Sequence, residues 1–133
     1  MLNGGILVDT GTRFTRFPHD FYIVFRYIFR IEVRDIRMVE NPVGAFDTCY
    51  KEDPNGHDLY FLVVKLYFGS VNPSTMLFLA QEQVVVKYRG LYCLAFKGWN
   101  NEYSILGSNQ LQGVALSFDT SANTLSFDAD GCD

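Results

Sequence analysis

The sequence predicts an all-β domain with few short helices, built as a sandwich or a barrel-like fold. Short stretches rich in Leu, Val, Tyr and Phe recur along the chain. Turn-forming residues separate them, as in Asp53-Pro54-Asn55-Gly56. Helical patterns do not alternate with these stretches, so a βαβ architecture is excluded. The 133 residues are enough for one domain with its own core.

The first predicted elements are a strand at residues 6–8 and a helix at about residues 19–30. Within the second region arginines alternate with apolar side chains, which is also the pattern of a strand with one solvated face. However, His19 and Asp20 can cap a helix whose apolar stripe begins at Phe21. We therefore predict a short helix followed by an extended segment.

The rest of the chain predicts seven short strands. Polar Gln81 and Glu82 separate the second from the third, and the turn Arg89-Gly90 separates the third from the fourth. Such closely spaced short strands are typical of sandwiches and barrels. The predicted strands cover residues 59–68, 76–80, 83–88, 91–96, 103–106, 114–118 and 124–127.

Composition excludes several classes of protein. Apolar residues make up 48% of the chain and charged residues 20%, which indicates a folded chain rather than a disordered one. The longest apolar stretches, such as residues 59–64, are too short to span a bilayer. The formal net charge is -4, whereas general nucleic-acid binding needs a basic surface. We expect neither a membrane span nor a nucleic-acid partner.

Basic residues are concentrated in one part of the chain. This concentration indicates either an anion-binding or partner-binding surface or the solvated face of one amphipathic element, and we favour the solvated face. Six of the 11 basic residues lie between positions 13 and 37: Arg13, Arg16, Arg26, Arg30, Arg34 and Arg37.

The candidate for chemistry is a carboxylate at the end of the first strand. Asp9 enters a tight Thr-Gly turn. Gly11 lets the backbone fold closely, so that amide N–H groups can point at the carboxylate. Thr10 and Thr12 supply small hydroxyl donors. The pattern suits a catalytic carboxylate, although Asp-Thr-Gly also occurs as a plain turn in which Asp bonds its own backbone.

Seven further segments of the chain, together with this turn, resemble the motifs of a known family. In order along nearly the whole chain, they resemble the C-terminal lobe of the pepsin-like aspartic proteases, above all the plant nepenthesin-type branch, and the xylanase-inhibitor C-terminal domain. The matching segments are Leu-Val-Asp-Thr-Gly-Thr at 7–12, Phe-Thr-Arg-Phe-Pro at 14–18, Phe-Asp-Thr-Cys-Tyr at 46–50, Tyr-Cys-Leu-Ala-Phe at 92–96, Tyr-Ser-Ile-Leu-Gly at 103–107, Leu-Ser-Phe-Asp at 116–119, Thr-Leu-Ser-Phe at 124–127 and Gly-Cys at 131–132.

This resemblance implies a bilobal β protein in which each lobe contributes one catalytic Asp. Residues 1–133 would form one C-terminal lobe, incomplete at its N-terminus and without the N-terminal lobe that carries the second Asp. The implied activity is endopeptidase cleavage of polypeptide substrates, with no cofactor and no metal. A water between the two carboxylates attacks the peptide carbonyl, and the two carboxylates share one proton. The isolated chain is expected to be inactive.

The resemblance also implies roles for individual residues around Asp9, the catalytic carboxylate. The Gly11 backbone and the Thr12 hydroxyl would bond that carboxylate, and Thr10 would brace the contact between lobes. Arg13 replaces the usual Thr or Ser. It would narrow the cleft, favour acidic substrates, or remain a solvated side chain at the cleft edge.

Beneath the Asp9 turn, the resemblance places the segment Ile105, Leu106 and Gly107 as a support. These residues would pack under the catalytic loop rather than take part in catalysis.

The cysteines fit an oxidising compartment better than a metal site, because they are widely spaced and lack a Cys-x-x-Cys pair. The resemblance implies a disulfide between Cys49 and Cys93, and a partner for Cys132 outside this chain. It also implies a secreted (apoplastic) or vacuolar location. Among the remaining candidates, we interpret His57 as a turn residue and Trp99 as a packing residue.

Two alternatives to the protease hypothesis remain open. One is a non-catalytic, protease-like binding protein similar to the plant xylanase inhibitors. The other is a homodimer of the retroviral-protease kind, in which two Asp9 residues meet across a two-fold axis. The dimer requires its own flap hairpin, and only eight residues precede Asp9.

Overall fold

The computed structural model describes residues 6–40, 44–57, 59–61, 63–67, 76–119 and 124–128. No helix in these ranges is long and apolar enough to cross a membrane. The elements in chain order are β1 (Ile6–Val8), β2 (Thr15–Pro18), α1 (His19–Glu32), β3 (Cys49–Lys51), β4 (Val64–Tyr67), β5 (Met76–Leu79), α2 (Gln81–Val84), β6 (Val85–Tyr88), β7 (Leu91–Leu94), β8 (Phe96–Trp99), β9 (Ser104–Leu106), β10 (Ala115–Asp119) and β11 (Thr124–Asp128).

The described strands form four sheets, which contain four, three, two and two strands. The four-stranded sheet has the order β1-β9-β2-β8, in which β1 pairs with β9 and β2 pairs with β8 in parallel. Since β2 and β9 pair antiparallel, this sheet is mixed. The three-stranded sheet β3-β7-β6 is antiparallel throughout. The pairs β4-β5 and β10-β11 are antiparallel two-stranded sheets.

Helix α1 covers the four-stranded sheet. Its Phe25 ring lies 4.9 Å from the ring of Phe96 on β8 and 5.4 Å from that of Phe17 on β2. Gly98 permits this close approach, because a Cβ atom there would lie 2.9 Å from Cδ2 of Tyr22. The helix therefore packs its apolar face on aromatic residues of two strands, and tertiary burial stabilises it more than local propensity does.

The predicted helix is confirmed and runs two residues further than expected, to Glu32. Two details of that prediction are wrong. The N-cap residue is Pro18, which offers no side-chain cap hydrogen bond, so His19 and Asp20 are not the cap. The chain after α1 forms a turn rather than an extended segment, and the N–H of Val33 donates to the carbonyl of Phe29 at 3.0 Å.

Four of the seven predicted strands are found within one or two residues at each end, whereas the predicted ranges 59–68, 83–88 and 91–96 are wrong in part. The range 83–88 begins with the short helix α2, because the Gln83 side chain accepts a hydrogen bond from the Ala80 N–H at 2.8 Å and closes a helical turn. The range 59–68 contains strand only at Val64–Tyr67, and the described residues before it are not strand. Residue 68 lies outside the described residues.

Strands β2 and β3 were not predicted from the sequence, and the range 91–96 divides into β7 and β8 at Ala95. β2 has only four residues and ends at Pro18. Proline disfavours the interior of a strand, so the sequence pattern does not predict a strand there.

The interpretation of the arginines as a solvated face is wrong for two of them. Arg26 forms an ion pair with Asp47 at 2.7 Å. Arg30 donates from Nε and Nη2 to the Thr48 hydroxyl at 3.0 and 2.7 Å, and from Nη2 to the Asp47 carbonyl at 2.9 Å. These arginines attach α1 to the segment that leads into β3.

Candidate functional site

Strand β1 positions Asp9 at its C-terminal end. Its residues Leu7 and Val8 pair in parallel with Ile105 and Leu106 of β9. The Asp9 N–H continues this ladder and donates to the Leu106 carbonyl at 3.1 Å. Both β9 side chains are buried, so the segment predicted to support the Asp9 turn lies directly beside β1.

The Asp9 carboxylate accepts one hydrogen bond on each oxygen. The Gly11 N–H donates to Oδ1 at 2.9 Å, and the Thr12 hydroxyl donates to Oδ2 at 2.8 Å. The Thr12 N–H also donates to the Asp9 main-chain carbonyl at 3.2 Å, which closes the turn. Asp9 and Thr10 are nevertheless exposed. The carboxylate is fixed in orientation and remains accessible to a ligand.

The segment that follows β9 crosses beneath this turn. The Ser108 N–H donates to the Thr12 carbonyl and the Asn109 N–H to the Arg13 carbonyl, each at 2.8 Å. At Gly107 a Cβ atom would lie 2.6 Å from the carbonyl carbon of Phe14. Since backbone cannot yield as a flexible side chain can, only glycine fits at this crossing.

A buried polar network lies below the crossing, and sequence analysis did not identify it. Gln110 is fully buried, and its Oε1 accepts from the N–H and the hydroxyl of Thr15, both at 2.8 Å. Its Nε2 donates to the carbonyls of Gln83 and Ala95 at 2.9 and 2.6 Å. The Thr15 hydroxyl in turn accepts from the Gly107 N–H at 3.1 Å. This network joins β2, α2 and the β9 segment under the Asp9 turn.

Arg13 continues directly from Thr12 and is exposed. Its guanidinium carbon lies 5.0 Å from the centre of the Phe14 ring, within the range of a cation–π contact. Its main-chain carbonyl is held by Asn109. The residue predicted at the cleft edge is therefore anchored by its backbone next to the carboxylate turn.

Two apolar side chains beside Asp9 are open to solvent. Leu7 is 54% exposed and Val8 is 37% exposed, although both belong to β1. Both side chains therefore belong to the surface beside the Asp9 carboxylate.

The predicted disulfide is confirmed. Cys49 and Cys93 face each other in the β3–β7 register, and their bond joins two fully buried side chains. Cys132 lies outside the described residues. Among the described residues no group of three His, Cys, Asp or Glu side chains could hold a metal ion.

The segment before the disulfide carries a perturbed carboxyl group. Burial alone would raise the pKa of Asp47, but hydrogen bonds from Tyr22, Arg26 and Thr48 hold it below its ordinary value. Burial and the bond to Asp47 raise the pKa of Tyr22 well above its usual range. Since these groups join α1 to the β3 segment, they stabilise the fold, and they are separate from the Asp9 turn.

The two remaining candidates, His57 and Trp99, contact residues of nearby turns and strands rather than the Asp9 turn. His57 is exposed and its Nδ1 lies 2.9 Å from Oδ2 of Asp53, in the turn where it was predicted. Trp99 ends β8, donates from Nε1 to the Tyr103 carbonyl at 2.8 Å and packs edge-on against the Tyr103 ring at 5.0 Å. Neither contacts the Asp9 turn.

Comparison with known proteins identifies the relatives of this chain. It is 30% identical over 130 residues to aspartyl protease family protein 2 of Arabidopsis thaliana, covering 98% of this chain and 26% of that protein. It is 28% identical over 132 residues to aspartic proteinase nepenthesin-1 of Nepenthes gracilis, covering 97% of this chain and 29% of that one. The chain thus spans little more than a quarter of these relatives.

The fold is also similar to about a third of each of two solved globulin structures. The basic 7S globulin of soybean superimposes with a TM-score of 0.77 at 22% identity, over 93% of this chain and 33% of the globulin. Conglutin gamma of lupine seeds gives 0.76 at 22% identity, over 94% of this chain and 32% of conglutin. These likenesses establish the C-terminal lobe of the pepsin-like fold, mostly β with two helices in the described part. The model of the xylanase inhibitor C-terminal family matches residues 1–129, and the chain therefore belongs to that family.

Proposed function

We propose that the chain is the C-terminal half of an aspartic endopeptidase and that Asp9 is one of its two catalytic carboxylates. The observation that supports this most strongly is the carboxylate geometry. Gly11 and Thr12 each bond one oxygen of Asp9, while the group stays exposed at a strand end. The plant aspartic proteases among its relatives supply the reaction class.

In the proposed mechanism, Asp9 and a carboxylate of an N-terminal lobe bind one water between them. Two carboxylates at such close range share a single proton, because ionising both is unfavourable. The ionised group accepts a proton from the water as it attacks the peptide carbonyl. The protonated group donates its proton to the carbonyl oxygen. When the tetrahedral intermediate collapses, the group that took the proton of the water donates it to the leaving nitrogen, and the other carboxylate takes a proton back from a hydroxyl of the intermediate. The pair titrates as a unit, so neither role belongs to Asp9 alone.

The hydrogen bonds within the turn orient the Asp9 carboxylate. The Gly11 N–H and the Thr12 hydroxyl hold the two oxygens of the Asp9 carboxylate and so fix its rotation. Gly107 and the backbone bonds from Ser108 and Asn109 keep the turn from moving away from the substrate. Such preorganisation lowers the reorganisation required at the moment of reaction.

The partner in this proposal is the N-terminal lobe. The exposed side chains of Leu7 and Val8, beside Asp9, would be covered by it, and Thr10 would brace the contact between the two turns. The buried disulfide and the plant relatives support an extracellular or vacuolar location for the assembled protein.

The dependence on a second lobe can be tested with purified proteins. We expect the 133-residue chain alone to leave a denatured protein substrate intact at acidic pH. The same chain mixed with, or fused to, the N-terminal lobe of a plant relative should cleave it in a pepstatin-sensitive manner. Pepstatin-sensitive cleavage by the chain alone, lost in Asp9→Asn, would contradict the two-lobe proposal and favour the homodimer.

A non-catalytic binding role is the second candidate function. The family that matches residues 1–129 is described as a xylanase inhibitor C-terminal domain. If this role holds, the chain joined to an N-terminal lobe reduces xylanase activity, and Asp9→Asn leaves that inhibition unchanged. Cleavage that requires Asp9 would exclude a purely inhibitory role.

A further inference from the structure

A pocket of about 190 Å³ opens next to the Asp9 turn. Its wall begins at Arg13, which follows directly on Thr12, the residue whose hydroxyl bonds Asp9. The lining residues come from three parts of the chain and include Arg13, Phe14, Phe46, Val86, Lys87 and Tyr88.

Aromatic side chains form the body of this pocket. The Phe14 and Phe46 rings meet edge to face at 5.2 Å, and Phe46 lies 5.3 Å from Tyr88. Phe46 is buried and packs with the Cys49–Cys93 pair. The pocket thus has an aromatic wall against which methylene groups can pack.

Cations surround the aromatic rings. Arg13 lies over Phe14 at 5.0 Å, and the Lys97 ammonium lies 5.5 and 5.7 Å from the centres of Phe14 and Phe46. Arg89 lies over Tyr88 at 5.2 Å. The positive charges are therefore attached to the same rings that form the pocket.

These charges are only partly neutralised by the protein. Lys87 pairs with Glu52 at 2.8 Å, but within the described ranges neither Arg13 nor Lys97 has a carboxylate partner. Burial, and then the charge of Arg16, lowers the pKa of Lys97. An anion bound nearby would oppose the contribution of Arg16 by favouring the charged ammonium. None of the pocket-lining residues is acidic, although the chain as a whole has a net charge of -4.

We propose that this pocket is a subsite for the acidic side chain of a polypeptide substrate. The methylene groups of a Glu or Asp would pack on Phe14 and Phe46 while its carboxylate contacts Arg13 and Lys97. This inference rests on the proposed peptidase function, because it is that function which makes a polypeptide the ligand. It deepens the function by giving the substrate a charge preference close to the cleavage site.

Binding to the 133-residue chain tests the pocket without requiring cleavage. The probes are fluorescent heptapeptides blocked at both ends, with Glu or the isosteric Gln at the central position and neutral residues elsewhere. We expect the Glu peptide to bind about tenfold more tightly, as one charge-assisted contact of about 1.4 kcal/mol would give. Equal affinities would overturn the proposal. So would tight binding of a Gln peptide with a free C-terminus, since the ligand would then be a terminal carboxylate.

Variants locate the effect. Arg13→Gln and Lys97→Gln should each remove most of the preference for Glu over Gln, and Lys97→Arg should retain it. Arg34→Gln is the matched control, because Arg34 is also exposed but does not line the pocket. A loss of the same size in Arg34→Gln would show that only general electrostatics acts, and would overturn the proposal.

The outcome is separable from that of the proposed function. Asp9→Asn should abolish cleavage by the two-lobe protein while the isolated variant chain keeps its preference for the Glu peptide. Cleavage that depends on Asp9 but shows no preference for Glu would refute the subsite and leave the peptidase function intact. A Glu preference in binding, with cleavage indifferent to Asp9, would refute the peptidase function instead.

Discussion

Replacing Gln110 by Leu is expected to destabilise the fold severely, because it removes four buried hydrogen bonds at once. The Gln110 side chain is fully buried and connects Thr15 to the carbonyls of Gln83 and Ala95. Leu has a similar volume, so the change tests hydrogen bonding rather than packing.

The magnitude follows from the partners that remain unpaired. The Thr15 hydroxyl keeps its bond from the Gly107 N–H, and the Gln83 carbonyl keeps its bond from Asn109 Nδ2 at 3.3 Å. The Thr15 N–H and the Ala95 carbonyl lose the bonds that Gln110 makes with them. Each buried polar group left unpaired costs about 1–3 kcal/mol, so we expect a loss of about 2–6 kcal/mol in the free energy of unfolding.

Urea unfolding of the 133-residue chain measures this loss. Trp99 is the sole tryptophan, is half-buried at the end of β8, and reports unfolding by its fluorescence. Gln112→Leu is the matched control, because its side chain is exposed and only its carbonyl bonds Gln83. The control should change stability by less than about 0.5 kcal/mol. Equal losses in the two variants would refute the network argument.

Three further predictions concern the support of the site. Gly107→Ala should destabilise the chain by about 1–3 kcal/mol, because its Cβ would lie 2.6 Å from the carbonyl carbon of Phe14; an unchanged melting temperature would contradict the crossing. Replacing Cys49 and Cys93 by Ala opens a loop with a sequence separation of 44 and should cost about 4 kcal/mol in urea unfolding; a loss under about 1 kcal/mol would argue against this role. The pKa of Asp47 is lower in the folded protein than its ordinary value of 3.8. The ionised carboxylate therefore stabilises the fold at pH values above 3.8, and this stabilisation is lost as the pH falls through the folded-state pKa. Asp47→Asn should therefore flatten the loss of stability on acidification, and parallel curves for the two proteins would count against it.

The local pattern predicted Asp9 as the candidate carboxylate and offered both Thr10 and Thr12 as hydroxyl donors, whereas the resemblance singled out the Gly11 N–H and the Thr12 hydroxyl, the two donors that the structure shows. Gly11 and Thr12 lie two and three residues from Asp9, so the turn is specified by adjacent sequence. The disulfide was predicted from the resemblance alone, because pairing across 44 residues leaves no local signal. The function of each residue in the turn stays a prediction.

Long-range contacts account for what the sequence did not reveal. Gln110 contacts Thr15 across 95 positions, and a buried glutamine is indistinguishable by sequence from an exposed one such as Gln112. Arg26 and Arg30 were interpreted as solvated because their partners, Asp47 and Thr48, follow about 20 residues later. A contact between segments that are distant in sequence cannot be predicted from the pattern of either segment alone.

The assignment of one catalytic carboxylate to this lobe is tested most directly by the kcat/KM of the two-lobe protein with Asp9 and with Asn at position 9. Asn preserves the shape of the side chain and removes the ionisable oxygen. Asp35→Asn is the control, since Asp35 is exposed outside the turn. We predict that Asp9→Asn lowers kcat/KM for peptide hydrolysis by at least about 100-fold and that the control retains it. Retained activity in Asp9→Asn, with cleavage still sensitive to pepstatin, would contradict a catalytic role for Asp9.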